Sequence, residues 1–455
     1  MRLRALAIPA LATVLAASVS TGVSYGVGSS ANADPAFDLP SLTAVLPTPF
    51  ESNGATNWTS AADEQSFLSS LDAASPRTTV SQIGATKQGR PIQLVKIEGT
   101  PKNSSMKDHA TVFFLCSQHG NEPAGREACL ITMRDLALGT DTKVTDMLQD
   151  VTVLFVPNAN PDGRAANTRG NSDGVDINRD HLELATLEDQ TYAREIFLGY
   201  KPDLVHDLHE YSGEPRTDIT YMWPRNLNVD LGVYEQAVDL NREWVVPAIE
   251  SGGYSTNLYA TVFKNGRAVA QSAGDEDERI LRNTSGLRHA LGILVESYTA
   301  NQSPAEQATP ALNRLRRVTS HVLGVEGTLG MLEKNRTRRD ITAATDHSRV
   351  NAVTRWSQNV DAFWFGGADN RMPSTTEVAV TPPCAYTLTA EQYAAVSQTL
   401  ALHGVTVTPL AGGGARVSMA QESSPVIPLL LDRRALRSPV DATAVNAGTA
   451  ACAAA

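Results

Sequence analysis

A histidine and a glutamate three residues apart directly follow an apolar stretch of the sequence. His119 and Glu122 lie between the apolar run 110–115 and the amphipathic segment 123–138, which predicts a strand-to-helix turn at this point. Imidazole nitrogen and carboxylate oxygen both bind zinc, and a catalytic zinc ion uses three protein ligands with one position left open. The turn is therefore a candidate source of two of the three ligands.

The third candidate ligand is His209, which follows a second apolar run at 203–208. Side chains on a strand alternate between its two faces. Asp203, Asp207 and His209 therefore share one face, whereas His206 points to the other. We take His209 as the ligand and His206 as a structural histidine, and we interpret the remaining histidines as surface or structural residues.

A polar loop rich in Asn, Asp and Gly extends from Asn160 to Asp180. Within it, Arg169 and Arg179 together with Asn178 offer donors suited to a carboxylate or an oxyanion. Polar loops of this length inside α/β domains more often carry function than not. The loop is therefore a candidate anion-binding segment.

Glu296 follows a further apolar run at 291–295. A carboxylate at the end of a buried strand is partly desolvated, which raises its pKa toward that of a useful general base. Taken alone, Glu296 is better explained as a side chain that emerges into solvent.

The elements that must position these residues alternate between strand and helix. Strands are predicted at 78–83, 92–97, 110–115, 151–156, 203–208 and 291–295, and helices at 60–74, 123–138, 184–200, 229–246 and 310–332. This alternation is typical of an α/β domain with a mostly parallel sheet, in which ligands bind at the carboxyl ends of the strands. His119, Asn160, His209 and Glu296 are each predicted just past the end of a strand.

Five segments are predicted along the chain. They are a signal peptide (1–33), a lead-in (34–58), a catalytic domain (59–335), a connection (336–372) whose charged, Thr-rich start indicates exposure, and a small C-terminal accessory region (373–455). The accessory region carries predicted short strands, including 426–431, around one helix. It is either a small β-rich domain or an extension packed on the main one.

The N-terminus has the pattern of a secretory signal peptide. Arg2 and Arg4 precede the apolar run 5–19, and an Ala-x-Ala cleavage site ends at Ala33. The apolar run is short for a membrane span, so we expect a secreted protein with no membrane association in its mature form. The net charge of −11 becomes more negative when the two arginines are removed. This acidity argues against nucleic acid or an anionic membrane surface as a partner, and we expect a monomer.

A secreted protein can form disulfides. The four cysteines of this sequence could then pair in three different ways. Cys384 with Cys452 would staple the C-terminal region. Cys116 and Cys129 flank the turn that carries His119, and they are either paired with each other or plain buried thiols.

Taken together, the motifs resemble the zinc carboxypeptidases of the carboxypeptidase A type over about residues 60–330. The matching set is His119-x-x-Glu122, Asn160-Pro-Asp-Gly163, Arg169, Gly174-Val-Asp-Ile-Asn178-Arg179, His209 in Asp-Leu-His-Glu-Tyr-Ser, and Glu296. Each motif alone is weak, whereas the ordered set is specific. The resemblance implies a mixed, mostly parallel central sheet with helices on both faces.

The same resemblance implies one zinc ion per chain, bound by His119, Glu122 and His209. It further implies that Asp176 accepts a hydrogen bond from His119 and so orients this ligand.

For catalysis, the resemblance implies that Arg169 polarises the scissile carbonyl and holds the oxyanion. Asn178 and Arg179 would clamp the terminal carboxylate of a peptide. Glu296 would act as general base on a zinc-activated water, and then as the acid that protonates the leaving amine.

Three functions remain open from the sequence. The first is a secreted metallocarboxypeptidase that acts on peptide or protein C-termini. The second is a zinc amidase or deacylase that acts on carboxylate-bearing amides such as cell-wall stem peptides. The third, a non-catalytic binding protein, is disfavoured because the ligands, the base and the arginines are all present.

The segment before Glu296 departs from the family pattern. Family members carry a substrate-covering Tyr here, yet 264–279 contains none, which leaves Tyr254 and Tyr259 as candidate replacements. The acidic run 275–278 could recognise basic side chains, although a solvated loop is the favoured explanation. No pro-segment of the length found in digestive members precedes the domain, so we do not expect activation by removal of a large propeptide.

Overall fold

The central element of the computed structural model is an eight-stranded mixed sheet. The strands up to residue 298 are β1 (Thr78–Ala85), β2 (Pro91–Ile97), β3 (Ala110–Cys116), β4 (Val151–Val156), β5 (Leu204–Tyr211), β6 (Ile219–Met222), β7 (Thr256–Leu258), β8 (Thr261–Lys264), β9 (Arg267–Gln271) and β10 (Leu291–Tyr298). The sheet order is β1-β2-β4-β3-β5-β10-β6-β7, and β8 pairs only with β9. The four central strands, β4-β3-β5-β10, are all parallel, which confirms the predicted mostly parallel arrangement.

The structure describes residues 37, 39, 41–100, 108–259, 261–264, 267–271 and 275–446, with the backbone alone for 261–264 and 267–271. The predicted signal peptide, and part of the segment in which the substrate-covering Tyr was sought, lie outside the described residues.

Helices connect the strands and cover the sheet. They are α1 (Pro49–Ser52), α2 (Ala61–Ala74), α3 (Ala124–Leu138), α4 (Thr142–Met147), α5 (Pro161–Ala166), α6 (Leu187–Thr191), α7 (Leu231–Asp239), α8 (Val246–Ser251), α9 (Leu281–Leu287), α10 (Pro304–Ala308), α11 (Pro310–Glu333), α12 (Asn335–Arg355), α13 (Ala390–Leu402) and α14 (Ile427–Leu431). π-Helical turns at Tyr192–Leu198 and Leu240–Val245 continue α6 and join α7 to α8. The predicted helix 229–246 therefore continues through Pro247. Proline is tolerated at this position because Pro247 lies in the first turn of α8. No described helix has the length and apolar character needed to cross a membrane.

The sheet separates two hydrophobic cores. Along β3, Val112 and Phe114 pack in one core with residues of α3 and α11. Phe113 and Leu115 pack in the other core with residues of α9 and of the π-helical turn that follows α6. Consecutive residues enter opposite cores because strand side chains alternate, and a strand buried on both faces reads as a continuous apolar run. Helices therefore cover both faces, as predicted.

The two strands β5 and β10 place the candidate residues His209 and Glu296 side by side. These residues pair directly in the parallel register, so their side chains leave the same face of the sheet. Both lie inside their strands rather than just past the ends, so that part of the prediction was wrong. Both strands extend beyond their apolar runs because backbone pairing continues past them. Ser297 of β10, for example, pairs with Ile219 of β6.

Most of the predicted connection 336–372 is the helix α12, so the expectation of an exposed connection was wrong. Ile341, Thr345, Ser348 and Ala352 are buried and recur at the spacing of one helix face. Two of these four residues are hydroxyl side chains, so hydrophobic periodicity in the sequence was weak. Packing against the main domain holds the helix in place.

The C-terminal region contains a second, four-stranded sheet of order β14-β15-β13-β16. The strands after residue 360 are β11 (Phe363–Trp364), β12 (Val378–Ala379), β13 (Ala385–Leu388), β14 (Thr408–Pro409), β15 (Ala415–Ser418) and β16 (Thr443–Val445). The predicted strand 426–431 is wrong, because it forms α14, with Pro428 in its first turn. An apolar run that is buried on all sides carries no period that separates strand from helix.

Direct contacts attach this region to the main domain. His403 contacts the carbonyl oxygen of Leu182 at 2.7 Å through Nε2, and Arg288 at 2.9 Å through Nδ1. The region is therefore an extension packed on the main domain, although its exact boundaries stay a prediction. Cys384 is disulfide-bonded, and its candidate partner Cys452 lies outside the described residues.

We expect Ile341→Ala to lower the free energy of unfolding by about 2–5 kcal/mol, because it removes a fully buried side chain from the face of α12. Val350→Ala on the same helix is the control, since Val350 is 72% exposed; it should change stability by less than about 0.5 kcal/mol. Chemical denaturation of both variants measures the difference. Equal effects would contradict the assignment of a buried face.

Candidate metal centre and its cavity

A disulfide fixes the turn that follows β3. Cys116, the last residue of β3, is bonded to Cys129 in α3, which settles the alternative left open by the sequence. Ser117 adopts a left-handed conformation with φ of 61°, and its hydroxyl donates a hydrogen bond to the carbonyl oxygen of Glu122 at 3.2 Å. The chain therefore reverses at this point and returns Glu122 toward His119.

Close backbone packing joins this turn to the polar loop. A Cβ atom on Gly120 would fall 1.9 Å from the carbonyl carbon of Gly163, so only glycine fits there. The amide of Asn160 donates to the carbonyl oxygens of Gln118 at 3.1 Å and Arg169 at 3.3 Å. The side chain of Asn160 therefore holds the two loops together beside the sheet edge.

The three predicted ligands converge. Atoms of His119, Glu122 and His209 that can bind a metal all lie within 4.8 Å of one another. Glu122 contacts Nδ1 of His119 at 2.8 Å and Nδ1 of His209 at 3.0 Å, and the two Nδ1 atoms are 3.1 Å apart. All three side chains are buried, so one ion could contact all three.

A carboxylate orients each imidazole from behind. Asp176 lies 3.1 Å from Nε2 of His119, and Asp207 lies 2.8 Å from Nε2 of His209. Each carboxylate accepts the Nε2–H, so Nδ1 faces the centre of the cluster and can bind a metal ion in its deprotonated form. The prediction had identified Asp176 but missed Asp207, although the sequence places Asp207 on the same strand face as His209.

Gln118 holds Asp207 in turn. Its amide nitrogen donates to Asp207 at 2.7 Å, and its amide oxygen lies 2.7 Å from Nε2 of His181. Burial lowers the pKa of His181 to about 3, so this imidazole is neutral at neutral pH and donates its Nε2–H to Gln118. His181 therefore supports the site, a contact that its sequence context did not indicate.

The electrostatics of the cluster favour a cation at its centre. Burial would raise the pKa of Glu122, but the two imidazoles hold it well below its usual value. Burial would likewise lower the pKa of His209, yet Asp207 and Glu122 raise it well above the ordinary range. Two nitrogen donors and one carboxylate are a set that zinc uses in catalytic sites. The donor set therefore fits zinc.

Arg169 lies beside the cluster. Its Nε donates to Asp176 at 2.9 Å, and its Nη1 is 3.2 Å from Nδ1 of His119 and 3.5 Å from the carboxylate of Glu122. About half of the side chain is exposed. The guanidinium is therefore held at the cluster while one side of it still faces open space.

Asn178 and Arg179 lie in a short 3-10 turn that Asp176 caps by accepting the Asn178 N–H at 3.0 Å. The amide oxygen of Asn178 accepts the backbone N–H of Leu281 at 2.9 Å, and Arg179 donates to the carbonyl oxygen of Asn178 at 2.7 Å. One aspartate thus positions both His119 and the pair of predicted anion-binding residues.

A cavity of about 370 Å³ opens beside these residues. Most of the predicted site residues line it, namely His119, Glu122, Arg169, Asn178, Arg179 and Glu296. Burial raises the pKa of Glu296 to about 8, in the direction predicted for a general base. The polar loop and Glu296, each weak as a separate indication, therefore belong to one site.

Two further features of the cavity concern the segment before Glu296. Tyr259 lines the cavity, whereas Tyr254 does not, so Tyr259 is the better replacement for the missing Tyr. The acidic residues 275–278 are absent from the lining. They are not a solvated loop either, because three of them form ion pairs: Asp275 with Arg225, Glu276 with Arg371 and Asp277 with Arg279.

Residues 64–238 match the family model of the zinc carboxypeptidases. The matched segment includes the His119, Glu122 and His209 cluster, and it ends before Glu296. This part of the chain is therefore similar to the zinc carboxypeptidases.

Curated carboxypeptidases are similar to part of the chain. Carboxypeptidase 2 of Trichophyton rubrum is 30% identical over 191 residues, which is 39% of this chain and 35% of the relative. Carboxypeptidase E of Caenorhabditis elegans is 31% identical over 125 residues, or 24% of this chain and 26% of the relative. The match thus spans about a third of the length of the fungal relative.

Among solved structures, the chain is similar to a metallo-carboxypeptidase from Burkholderia cenocepacia. The TM-score is 0.47 at 20% identity, and the match covers 60% of this chain and 68% of that chain. Thrombin activatable fibrinolysis inhibitor gives a TM-score of 0.45 at 14% identity, covering 61% of this chain and 75% of that chain.

We expect Asp207→Ala to weaken zinc binding by about 10- to 100-fold, because His209 loses the carboxylate that fixes its tautomer and orientation. Competition with a chromophoric chelator measures this affinity directly. Asp346→Ala is the matched control, since the Asp346 side chain is 72% exposed and lies on α12. Unchanged zinc affinity in Asp207→Ala would contradict the orienting contact.

Proposed function

We propose that the protein is a secreted, zinc-dependent metallocarboxypeptidase that hydrolyses C-terminal peptide bonds. The observation that carries the proposal is the convergence of His119, Glu122 and His209. His119 and Glu122 line a cavity that Glu296 and three predicted anion-binding residues also line. Zinc, when bound, polarises a carbonyl group and lowers the pKa of water to about 7.

Glu296 is the proposed general base. It lies next to His209 in the strand register and lines the cavity. It would take the proton of the attacking water and then deliver that proton to the leaving amine. A pKa of about 8, raised by burial, suits both tasks near neutral pH.

Arg169 is the proposed oxyanion donor. Charge develops on the carbonyl oxygen as water adds to the peptide, and fixed donors at that position lower the barrier. Contacts with Asp176 and His119 hold the guanidinium beside the candidate metal ligands before a substrate binds. It therefore needs little rearrangement during the reaction.

Asn178 and Arg179 are the proposed clamp for the terminal carboxylate. Both line the cavity, and a guanidinium with a neighbouring amide is suited to a carboxylate. Arg179 donates through Nη1 to the carbonyl oxygen of Asn178, and its Nε lies 3.9 Å from Asp277. These contacts use only part of the five N–H donors of a guanidinium group. A clamp of this kind restricts cleavage to the chain end.

Secretion is supported by two independent features. Residues 1–33 have the signal-peptide pattern, and the Cys116–Cys129 disulfide suits an oxidising compartment. The alternative amidase is not favoured, because the family model and the curated relatives are carboxypeptidases.

We expect Glu296→Gln to lose at least about 10²-fold in kcat, because the amide cannot accept the proton of the attacking water. Zinc content should be unchanged, since Glu296 is not a proposed ligand. Initial rates on a C-terminally free peptide and metal analysis of the same preparation measure both. Glu235→Gln, at an exposed position, is the control. Full activity in Glu296→Gln would rule out this base.

The clamp predicts that peptides with an amidated C-terminus are poor substrates. Arg179→Ala should lower kcat/KM for free-acid peptides by roughly 10- to 150-fold, as expected when a hydrogen bond to a charged group is lost. The exposed Arg336→Ala serves as the control. Equal cleavage of amidated and free peptides, with little effect of Arg179→Ala, would show that the cavity does not recognise a chain end.

A further inference from the structure

One charged residue of the cavity has no part in the proposed catalysis. Arg282 lines the same 370 Å³ cavity as Glu296 and Arg179, and the residue is only 2% exposed. It belongs to α9, which packs against β10 and β5. The guanidinium therefore reaches the cavity from an element that is separate from the polar loop.

Two apolar side chains also line the cavity. Ile280 and Leu294 line the cavity with Arg282, and both are buried. Arg282 is itself buried, and solvent screens an ion pair with a buried group less than one at the surface. Burial lowers the pKa of Arg282 to about 10, so the group still carries its charge at neutral pH.

Each carboxylate that lines the cavity has a partner or a proposed role. Glu122 is a candidate metal ligand, and Glu296 is the proposed base. Glu210 is paired with Arg317 and accepts the backbone N–H of Ala124. The acidic run 275–278, which could have selected basic side chains, does not line the cavity. The acidic run therefore offers no carboxylate in this cavity to a basic side chain, whereas Arg282 offers a guanidinium to an acidic one.

We propose that Arg282 selects peptides whose C-terminal residue has an acidic side chain. The inference rests on the proposed function. A C-terminal Asp or Glu presents two carboxylates, and the cavity presents two guanidinium groups beyond Arg169. Arg179, beside Asn178, takes the main-chain carboxylate, and Arg282 pairs with the side-chain carboxylate through charge-assisted hydrogen bonds.

The comparison of glutamate with its neutral isostere tests this in the unmodified enzyme. Peptides that differ only in a C-terminal Glu, Asp, Gln, Leu or Lys are digested, and kcat/KM is measured for release of each residue. We expect Glu to be released at least about 10-fold more efficiently than Gln, which has the same shape without the charge. Release of Gln or Lys as fast as Glu would overturn the inference while leaving the carboxypeptidase function intact.

Substitutions distinguish the proposed role of Arg282 from that of Arg179. Arg282→Gln should abolish the preference for Glu over Gln while changing release of Leu by only a few-fold, and Arg282→Lys should keep part of the preference. Arg179→Gln, in contrast, should lower release of all five residues together. A uniform loss in Arg282→Gln would instead show that Arg282 binds the main-chain carboxylate or supports the fold, and would overturn the inference.

Failure of the proposed function is a different result. If no peptide of the set loses its C-terminal residue in the presence of zinc, both the proposed function and this inference are wrong. Because the Glu-to-Gln ratio is measured on the unmodified chain, the inference remains testable even if an Arg282 variant does not fold.

Discussion

The parallel register between β5 and β10 is the constraint on which the site depends. It sets His209 beside Glu296 at the centre of the sheet, where both strands are buried along their whole length. A shift of one residue would turn one of the two side chains to the opposite face. The continuous apolar packing of both strands against helices on both faces fixes this register, so the two cores position the candidate site residues as well as stabilising the fold.

The remaining site residues lie on loops that follow the carboxyl ends of the strands. These loops are not held by sheet hydrogen bonds, so other contacts must fix them. The Cys116–Cys129 disulfide, the close approach of Gly120 to Gly163, and the side chain of Asn160 together supply them. These contacts remove freedom from a segment that has few apolar residues to bury. They keep the polar loop against His119 and Glu122, so Arg169 and Arg179 are held at the cavity.

The errors of the sequence interpretation share a physical origin. The helix α12 was expected to be an exposed connection because half of its buried face is hydroxyl side chains, and α14 was expected to be a strand because its apolar run has no period. The acidic run 275–278 was expected to be solvated, yet its partners Arg225 and Arg371 are distant in sequence. In each case the missing information was what packs against the segment, and this information is not local.

The sequence by itself indicated the candidate zinc ligands, the candidate base and most of the strands that present them, because residue type and strand alternation act over a few neighbouring positions. Only the tertiary structure decided which side chains share the cavity. It showed that Asp207 contacts His209, that Tyr259 rather than Tyr254 lines the cavity, and that Arg282 lines the same cavity as Glu296. Such neighbours come from segments far apart along the chain, and only the packed sheet and its helices bring them within contact distance.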